Sequence, residues 1–313
     1  MNQRLLLTML LASAGIAIAP FLGEPLEGET GAFVFWDLRV PRALLGCMVG
    51  AVLGLTGAVY QTLFSNPLAI PSTVGTTAGA SLGVLVVLVL LPGLDLMGGS
   101  TLTVAAFLGA LVVTLLIAGV AATGRARVND ILLVGIGITL ASGALTTGLQ
   151  FQADMDATFQ AVRWSLGSLA KVGYQDLVSL TPFAVITIVI LLAQMRALEA
   201  ITGGEERAYS QGVNVVRVRT LCLGIGALGV GACVAFCGPI AFVGLLVPHL
   251  VRKALGARRR ILLPMSALVG AAFLCLCDGL ARWALPDRNL PVGVITAALG
   301  APLLIALVFR KKT

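Results

Sequence analysis

The sequence predicts an all-α membrane protein that crosses the bilayer many times, and three observations carry this prediction. Hydrophobic residues make up 58% of the 313-residue chain and charged residues only 11%, whereas a soluble globular protein carries roughly 25% charged residues. Apolar runs of about 18 or more residues recur from end to end, which is the length a helix needs to cross a bilayer. A transmembrane β-barrel would instead alternate polar and apolar residues in segments of about ten, and that pattern is absent.

Ten apolar stretches are separated by polar or helix-breaking segments, and each is predicted to be a transmembrane helix. The first, about residues 1–19, also has the layout of a secretory signal peptide, with Arg4 ahead of an apolar core. Pro20 directly follows the small-residue tripeptide that would be cleaved, so we expect a retained first span. The other nine predicted spans cover about 38–64, 75–91, 102–122, 131–149, 178–195, 220–236, 240–252, 261–285 and 291–309.

Local signals support several of these helices. The second span is rich in glycine, which lets helix backbones approach closely, and Pro67 with Pro71 ends this helix. Asn129-Asp130 is expected to cap the fifth span. Between the fifth and sixth spans, residues 159–169 are predicted to form a short interfacial helix with Trp164 at the level of the lipid headgroups.

The distribution of basic residues predicts the orientation of the chain. With ten spans, fifteen Lys and Arg residues fall on one side of the membrane and six on the other. Cytoplasmic segments carry such an excess of basic residues, so both termini are predicted to be cytoplasmic. Orientation therefore accounts for the net charge of +7, and a nucleic-acid partner is not needed to explain it.

The whole chain, residues 1–313, is predicted to form a single transmembrane domain of two halves. Each half, about 1–176 and 177–313, holds five spans, and an odd number inserts the second half upside down relative to the first. Arg39-Val-Pro-Arg42 leads a glycine-rich span in the first half, and Arg217-Val-Arg219 leads another in the second. Inverted five-helix halves of this kind are typical of transporters, with the transport path between them.

The chain carries little chemistry of its own. His249 and the six cysteines show no metal-ligand spacing, so neither a catalytic site nor a metal site is predicted. A phosphate-binding GxxxxGK[ST] sequence is absent, so energy for transport would have to come from another protein. A compact polar segment, 203–219 within a cytoplasmic stretch 196–219, is the element able to receive it. Asp278 and Arg282, near the outer end of the ninth span, can form an i,i+4 pair. Its simplest role is to solvate the helix end, and the alternative is that it lines a path or a docking surface.

Several ordered motifs extend the prediction from a class to a family. They are Leu38-Arg-Val-Pro-Arg42, Tyr60-Gln61 with Asn66-Pro-Leu-Ala69, Gly204-Glu205 with Ala208 and Gly212, Gly238-Pro-Ile-Ala-Phe-Val-Gly-Leu245 with Pro248-His249, and Leu290-Pro-Val-Gly293 with Gly300-Ala-Pro302. In this order they resemble the permease subunits of type II ATP-binding-cassette (ABC) importers, the FecCD-like family of iron-siderophore, haem and cobalamin permeases. The resemblance covers nearly the whole chain and implies a transport subunit that is not an enzyme and holds no cofactor.

The resemblance also implies the partners and the location of the protein. The permease would form a homodimer in the bilayer of the bacterial inner membrane. Two ABC ATPase subunits, which bind ATP and Mg, would lie on the cytoplasmic side. A periplasmic substrate-binding protein would dock on the opposite side.

Three sets of site residues follow from the same resemblance. Coupling to the ATPase is assigned to Gly204, Glu205, Arg207, Ala208, Gly212 and Val213. Docking of the binding protein is assigned to the arginines Arg39, Arg42 and Arg282. An inner gate is assigned to Asn66, Leu68, Val128 and Asn129. The last two depart from the family pattern, because the cobalamin permease has Ser/Thr-like residues at that point.

The implied function is import of a metal chelate. Iron-siderophore or haem is preferred because iron carriers are the most frequent in the family, and cobalamin is the alternative within it. A gradient-driven secondary transporter or channel is a different class, disfavoured because the predicted spans hold no evident proton or sodium relay. A structural or receptor role is disfavoured by the glycine-rich, two-half design. Small and hydroxyl residues would line the pore, namely Thr76, Thr77, Ser81, Thr146, Thr147 and Thr296.

Overall fold

The computed structural model describes residues 3–23, 31–94, 101–124, 126, 128–170, 173–284 and 290–309. All regular secondary structure in these ranges is helical. The main helices, in chain order, are α1 (Gln3–Ile18), α2 (Val40–Leu63), α3 (Thr76–Leu90), α4 (Thr101–Ala122), α5 (Val128–Gln152), α6 (Met155–Ser165), α7 (Tyr174–Ala193), α8 (Met195–Ile201), α9 (Glu205–Ser210), α10 (Val215–Cys237), α11 (Val243–Leu255), α12 (Arg259–Ala284) and α13 (Val292–Phe309). The predicted all-α membrane fold is confirmed.

By length and composition, fewer helices of the described chain qualify as membrane spans than the ten that the sequence predicts. Seven helical segments of the described chain are long and apolar enough to cross a membrane, and two shorter apolar helices, Thr76–Leu90 and Val292–Ala306, accompany them. Helix α11 has only 13 residues. At a rise of 1.5 Å per residue it spans about 20 Å, which is shorter than the hydrocarbon core of a bilayer at about 30 Å. The count of ten spans is therefore not confirmed.

The boundaries of several elements differ from the sequence-based expectation, each for a local reason. The second span begins earlier than predicted, because Gly31–Phe33 and the π-helical turns Val34–Arg39 run directly into α2. Helix α6 begins at Met155, ahead of the predicted 159, because the Asp154 carboxylate caps it by accepting a 2.7 Å hydrogen bond from the Ala157 N–H.

One other expectation about a helix end needs correction. Asn129-Asp130 does not cap the fifth span, because α5 already begins at Val128. Asp130 lies in the first turn of α5, where a negative charge interacts favourably with the helix dipole. The division into two halves at about 176 stays a prediction, and this position lies in the first turn of α7. The polar segment 203–219 contains α9 and the beginning of α10, so most of it is helical.

Helix α2 lies at the centre of the fold. In its most apolar 18-residue window 78% of residues are buried, against 17% for α1 and for α5. Glycines on α2 permit this burial, because a Cβ at Gly50 would overlap the Gly270 carbonyl of α12 and a Cβ at Gly57 would overlap the Gly244 carbonyl of α11. Small residues of this kind let membrane helices pack backbone against backbone. Helices α2, α11 and α12 therefore form the core on which the functional segments are mounted.

Candidate functional site

The segment that the resemblance assigns to coupling, called the coupling segment below, is a short helix set between two glycines with positive φ angles. Gly204 precedes α9 at φ +105°, and Gly212 follows it at φ +78°. Both angles are in the region where glycine has no steric penalty and other residues do. The end of α9 is closed by two backbone hydrogen bonds, from Gly212 N to Tyr209 O at 2.9 Å and from Val213 N to Ala208 O at 3.0 Å. This is a Schellman ending, so α9 projects as a compact turn of fixed length.

Side chains of α9 divide into an anchored side and an exposed side. Ala208 is fully buried and Val213, just beyond the helix, is half-buried against the core. Arg219 of α10 forms a salt bridge with Glu205, which fastens α9 to the adjacent long helix. Arg207 and Glu206 are exposed. The segment therefore presents charged side chains on a rigid mount, an arrangement suited to contact with another protein.

The three arginines assigned to docking lie near one another and are largely buried. Arg42 forms the main contact of the group, with Nη2 2.7 Å and Nε 2.8 Å from Oδ1 of Asp278. Arg282 Nε lies 3.3 Å from Oδ2 of the same carboxylate, and its Nη2 donates to the Ala19 carbonyl at 2.6 Å. Arg39 is 9% exposed and Arg42 7%. We refer to Arg39, Arg42, Asp278 and Arg282 as the arginine–aspartate cluster.

This cluster confirms one part of the sequence interpretation and corrects another. The i,i+4 pair between Asp278 and Arg282 is present. It does not solvate a helix end, because Asp278 is only 1% exposed. The pair between Arg42 and Asp278 was missed because 236 positions separate the two residues. The sequence did carry one signal for this pair: Asp278 is a lone carboxylate in an apolar stretch, and such a group needs a buried partner.

The predicted gate residues Asn66 and Leu68 lie together in a tight turn after α2. The Asn66 side-chain carbonyl accepts a 2.9 Å hydrogen bond from the Leu68 N–H. Leu68 is 59% exposed. Both residues line a cavity of about 390 Å³ against α5, which contributes Leu132, Ile136, Thr139 and Leu140. Val128 and Asn129 are not among the lining residues, so α5 meets this turn one helical turn further along than expected.

A larger cavity, of about 620 Å³, lies between α2, α10, α11 and α13. Thr77 is the one residue of the predicted pore lining that borders it, together with Ser72 and Ser165. Thr76 and Thr296 are 1% and 0% exposed and face the packed interior instead. Residues 239–242, which follow Gly238 and precede α11, supply much of the wall. The sequence marked this break by Gly238-Pro239, but nothing local indicated that the loop faces a cavity.

The described chain is a bundle of apolar helices with cavities between them and a charged element mounted outside the cavities, an arrangement compatible with transport across a membrane. The family is shown by direct comparison: the model of the FecCD transport family matches residues 5–310, and the chain belongs to this family.

Individual relatives agree with the family. The vitamin B12 import system permease protein BtuC of Vibrio cholerae is 41% identical over 276 residues, which are 88% of this chain and 82% of that protein. The hemin transport system permease protein HmuU of Yersinia pestis is 34% identical over 280 residues, 89% of this chain and 84% of its own. A solved structure of an inward-facing, metal-chelate type ABC transporter matches with a TM-score of 0.88 and 29% identity, covering 98% of each chain. The predicted type II ABC importer permease is thereby confirmed.

Proposed function

We propose that this chain imports a metal chelate as one subunit of a homodimer, driven by two separate ATPase subunits and supplied by a periplasmic binding protein. The observation that carries this proposal is the geometry of α9. This six-residue helix lies between two glycines with positive φ angles. The salt bridge between Arg219 and Glu205 attaches it to α10, so a displacement of α9 would be passed on to α10. Such an element suits a transporter that is driven by a partner protein.

The proposal includes the topology that the family resemblance implies. Ten spans in two inverted halves would require α3, α11 and α13 to cross in addition to the seven longer segments. Helix α11 would do so only together with the loop before it, residues 239–242, which lines the larger cavity. Both termini would then be cytoplasmic, on the same side as α9.

A second copy of the chain would complete the path. The cavity at Asn66 and Leu68 lies on α5, which is the least buried of the long helices together with α1. Leu133 and Leu140 of α5 are 70% and 69% exposed. A symmetry-related α5 placed against this side would enclose the gate between two identical turns.

The substrate has two candidates, and the relatives support both. Iron chelates are represented by the hemin permease of Yersinia pestis and by the Fe(3+)-citrate permease protein YfmD of Bacillus subtilis. Cobalamin is represented by the BtuC protein of Vibrio cholerae, at a higher identity of 41%. Cobalamin is thus at least as well supported as the iron chelate that the sequence resemblance favoured.

A gradient-driven mechanism is the alternative class, and among the described residues the buried carboxylate of Asp278 is the feature that bears on it. The sequence interpretation did not recognise this carboxylate as buried. Arg42 and Arg282 both form salt bridges with it, so its contacts are those of a structural ion cluster and not of an unpaired group.

The test is uptake into proteoliposomes that contain the permease, its ATPase and its binding protein. We expect accumulation of radiolabelled cobalamin or of an iron chelate only with ATP inside, and the accumulated compound identifies the substrate. Gly212→Val should reduce uptake while ATP hydrolysis continues, because valine is strained at φ +78°. Gly119→Val is the matched control, since Gly119 has open space around it and no positive φ. Uptake driven by a gradient without ATP would contradict the proposal.

A further inference from the structure

A basic cavity of about 490 Å³ lies where the beginning of α1 meets the end of α11 and the beginning of α12. Three of its eight lining residues are basic and none is acidic. Its remaining wall is largely aliphatic. The basic residues are Arg4, Arg252 and Lys253, and the aliphatic wall includes Leu5, Leu255 and Ile261.

Among the described residues, no salt bridge neutralises the basic side chains of this cavity. The three salt bridges found among the described residues all lie elsewhere. Arg4 and Lys253 are exposed at the rim. Arg252 is held in place because its Nη2 donates to Gln61 Oε1 at 2.9 Å, which leaves its other N–H groups for a ligand. The cavity is therefore prepared for an anion.

The surroundings of the cavity indicate which kind of molecule would carry the anionic group. Arg4 lies in the first turn of the candidate span Gln3–Phe21. The same helix exposes Leu7, Leu10 and Leu11 at 58%, 67% and 64%. A ligand in the cavity thus meets positive charge at the end of a span and an exposed aliphatic surface along it. Basic pockets between the ends of membrane helices bind the headgroups of anionic lipids.

The cavity also lies on the same side of the helix bundle as the coupling segment. The backbone N–H of Arg259, at the beginning of α12, donates to the Glu199 carboxylate of α8 at 2.6 Å. Because α8 leads directly to α9, the cavity and α9 share one end of the bundle.

From this arrangement we infer that the cavity binds the phosphate group of an anionic lipid, with Arg4, Arg252 and Lys253 around the phosphate and the acyl chains along α1. The inference concerns a structural lipid and does not depend on which chelate is transported.

The experiment is native mass spectrometry of the full-length permease titrated with phosphatidylglycerol. The double variant Arg4→Gln/Lys253→Gln should bind the lipid about 25-fold more weakly, since each basic residue near an anionic lipid is worth about a factor of five. Arg260→Gln removes one charge from an exposed residue outside the cavity and should leave binding unchanged. Lys253→Gln alone, with an expected loss of about fivefold, carries the test if the double variant does not fold.

Four results would overturn the inference. Phosphatidylcholine binding as strongly as phosphatidylglycerol, or an equal loss with Arg260→Gln, would show that no specific anion site exists. Stabilisation of the wild type by inorganic phosphate, with no preference for the lipid, would assign the site to a free anion. Loss of ATPase-subunit binding in the double variant, with lipid binding intact, would assign the surface to a protein partner.

Discussion

Replacing Asp278 by asparagine removes the only carboxylate that the described structure shows in the arginine–aspartate cluster. Asparagine has nearly the same shape, so the change removes charge without opening a cavity. Arg42 would lose a partner to which it makes contacts of 2.7, 2.8 and 3.0 Å, and Arg282 one at 3.3 Å. Two guanidinium groups would then face each other across a neutral amide.

The burial of the groups sets the size of the effect. The Arg42 side chain is 8% exposed, that of Asp278 2% and that of Arg282 10%. Removing one partner of a buried ion pair costs about 3–5 kcal/mol, because the remaining charge stays buried without compensation. An exposed pair contributes only about 0–1 kcal/mol. We therefore expect Asp278→Asn to lower the free energy of unfolding by about 3–5 kcal/mol.

The measurement is reversible unfolding of the purified permease in mixed micelles, with Glu206→Gln as the control. Glu206 is exposed and takes part in none of the salt bridges found among the described residues, so its loss should cost about 0.5 kcal/mol or less. Adding Arg42→Gln to Asp278→Asn should recover part of the lost stability, because one of the uncompensated charges is then gone. Equal small losses for both carboxylate variants would refute the reasoning.

Two further predictions concern the packing of α2 and α12. Gly50→Ala should lower the free energy of unfolding by about 1–3 kcal/mol in the same measurement, because its Cβ would overlap a backbone carbonyl of α12. Gly119→Ala is the control and should cost no stability, because Gly119 has open surroundings. Equal losses for the two variants would contradict the close packing of α2 against α12. Mild oxidation with diamide should join Cys47 to Cys275, whose Sγ atoms are 3.2 Å apart. Peptide mapping by mass spectrometry would detect the linked pair, and recovery of both thiols unchanged would contradict the proximity of the two helices at this level.

The helical fold was accessible from sequence because its signals are local. Apolar length alone predicts the long helices, whereas the short helix α9 lies in a polar segment punctuated by Gly204 and Gly212. Helix ends were less accurate, since Asp154 fixes the beginning of α6 through a single hydrogen bond that hydropathy does not register.

The arrangement of the candidate sites depends on contacts between distant parts of the chain, and for that reason it could not be predicted. Arg42 meets Asp278 only because glycines allow α2 and α12 to touch. Asn66 shares a cavity with Leu132, and Val128 does not line it. Residue types could be recognised as functional candidates, but their burial and their partners required the structure.

The backbone contacts of α2 have a consequence for how the protein moves. Where two helices touch without intervening side chains, neither can slide or rotate without steric overlap, because packed interfaces do not deform continuously. Gly50 and Gly57 lock α2 to α12 and α11 in this way, whereas the windows of α1, α5 and α7 are only 17–22% buried. We expect the locked helices to behave as a stationary frame during a working cycle, with displacement confined to the loosely held helices at its edge.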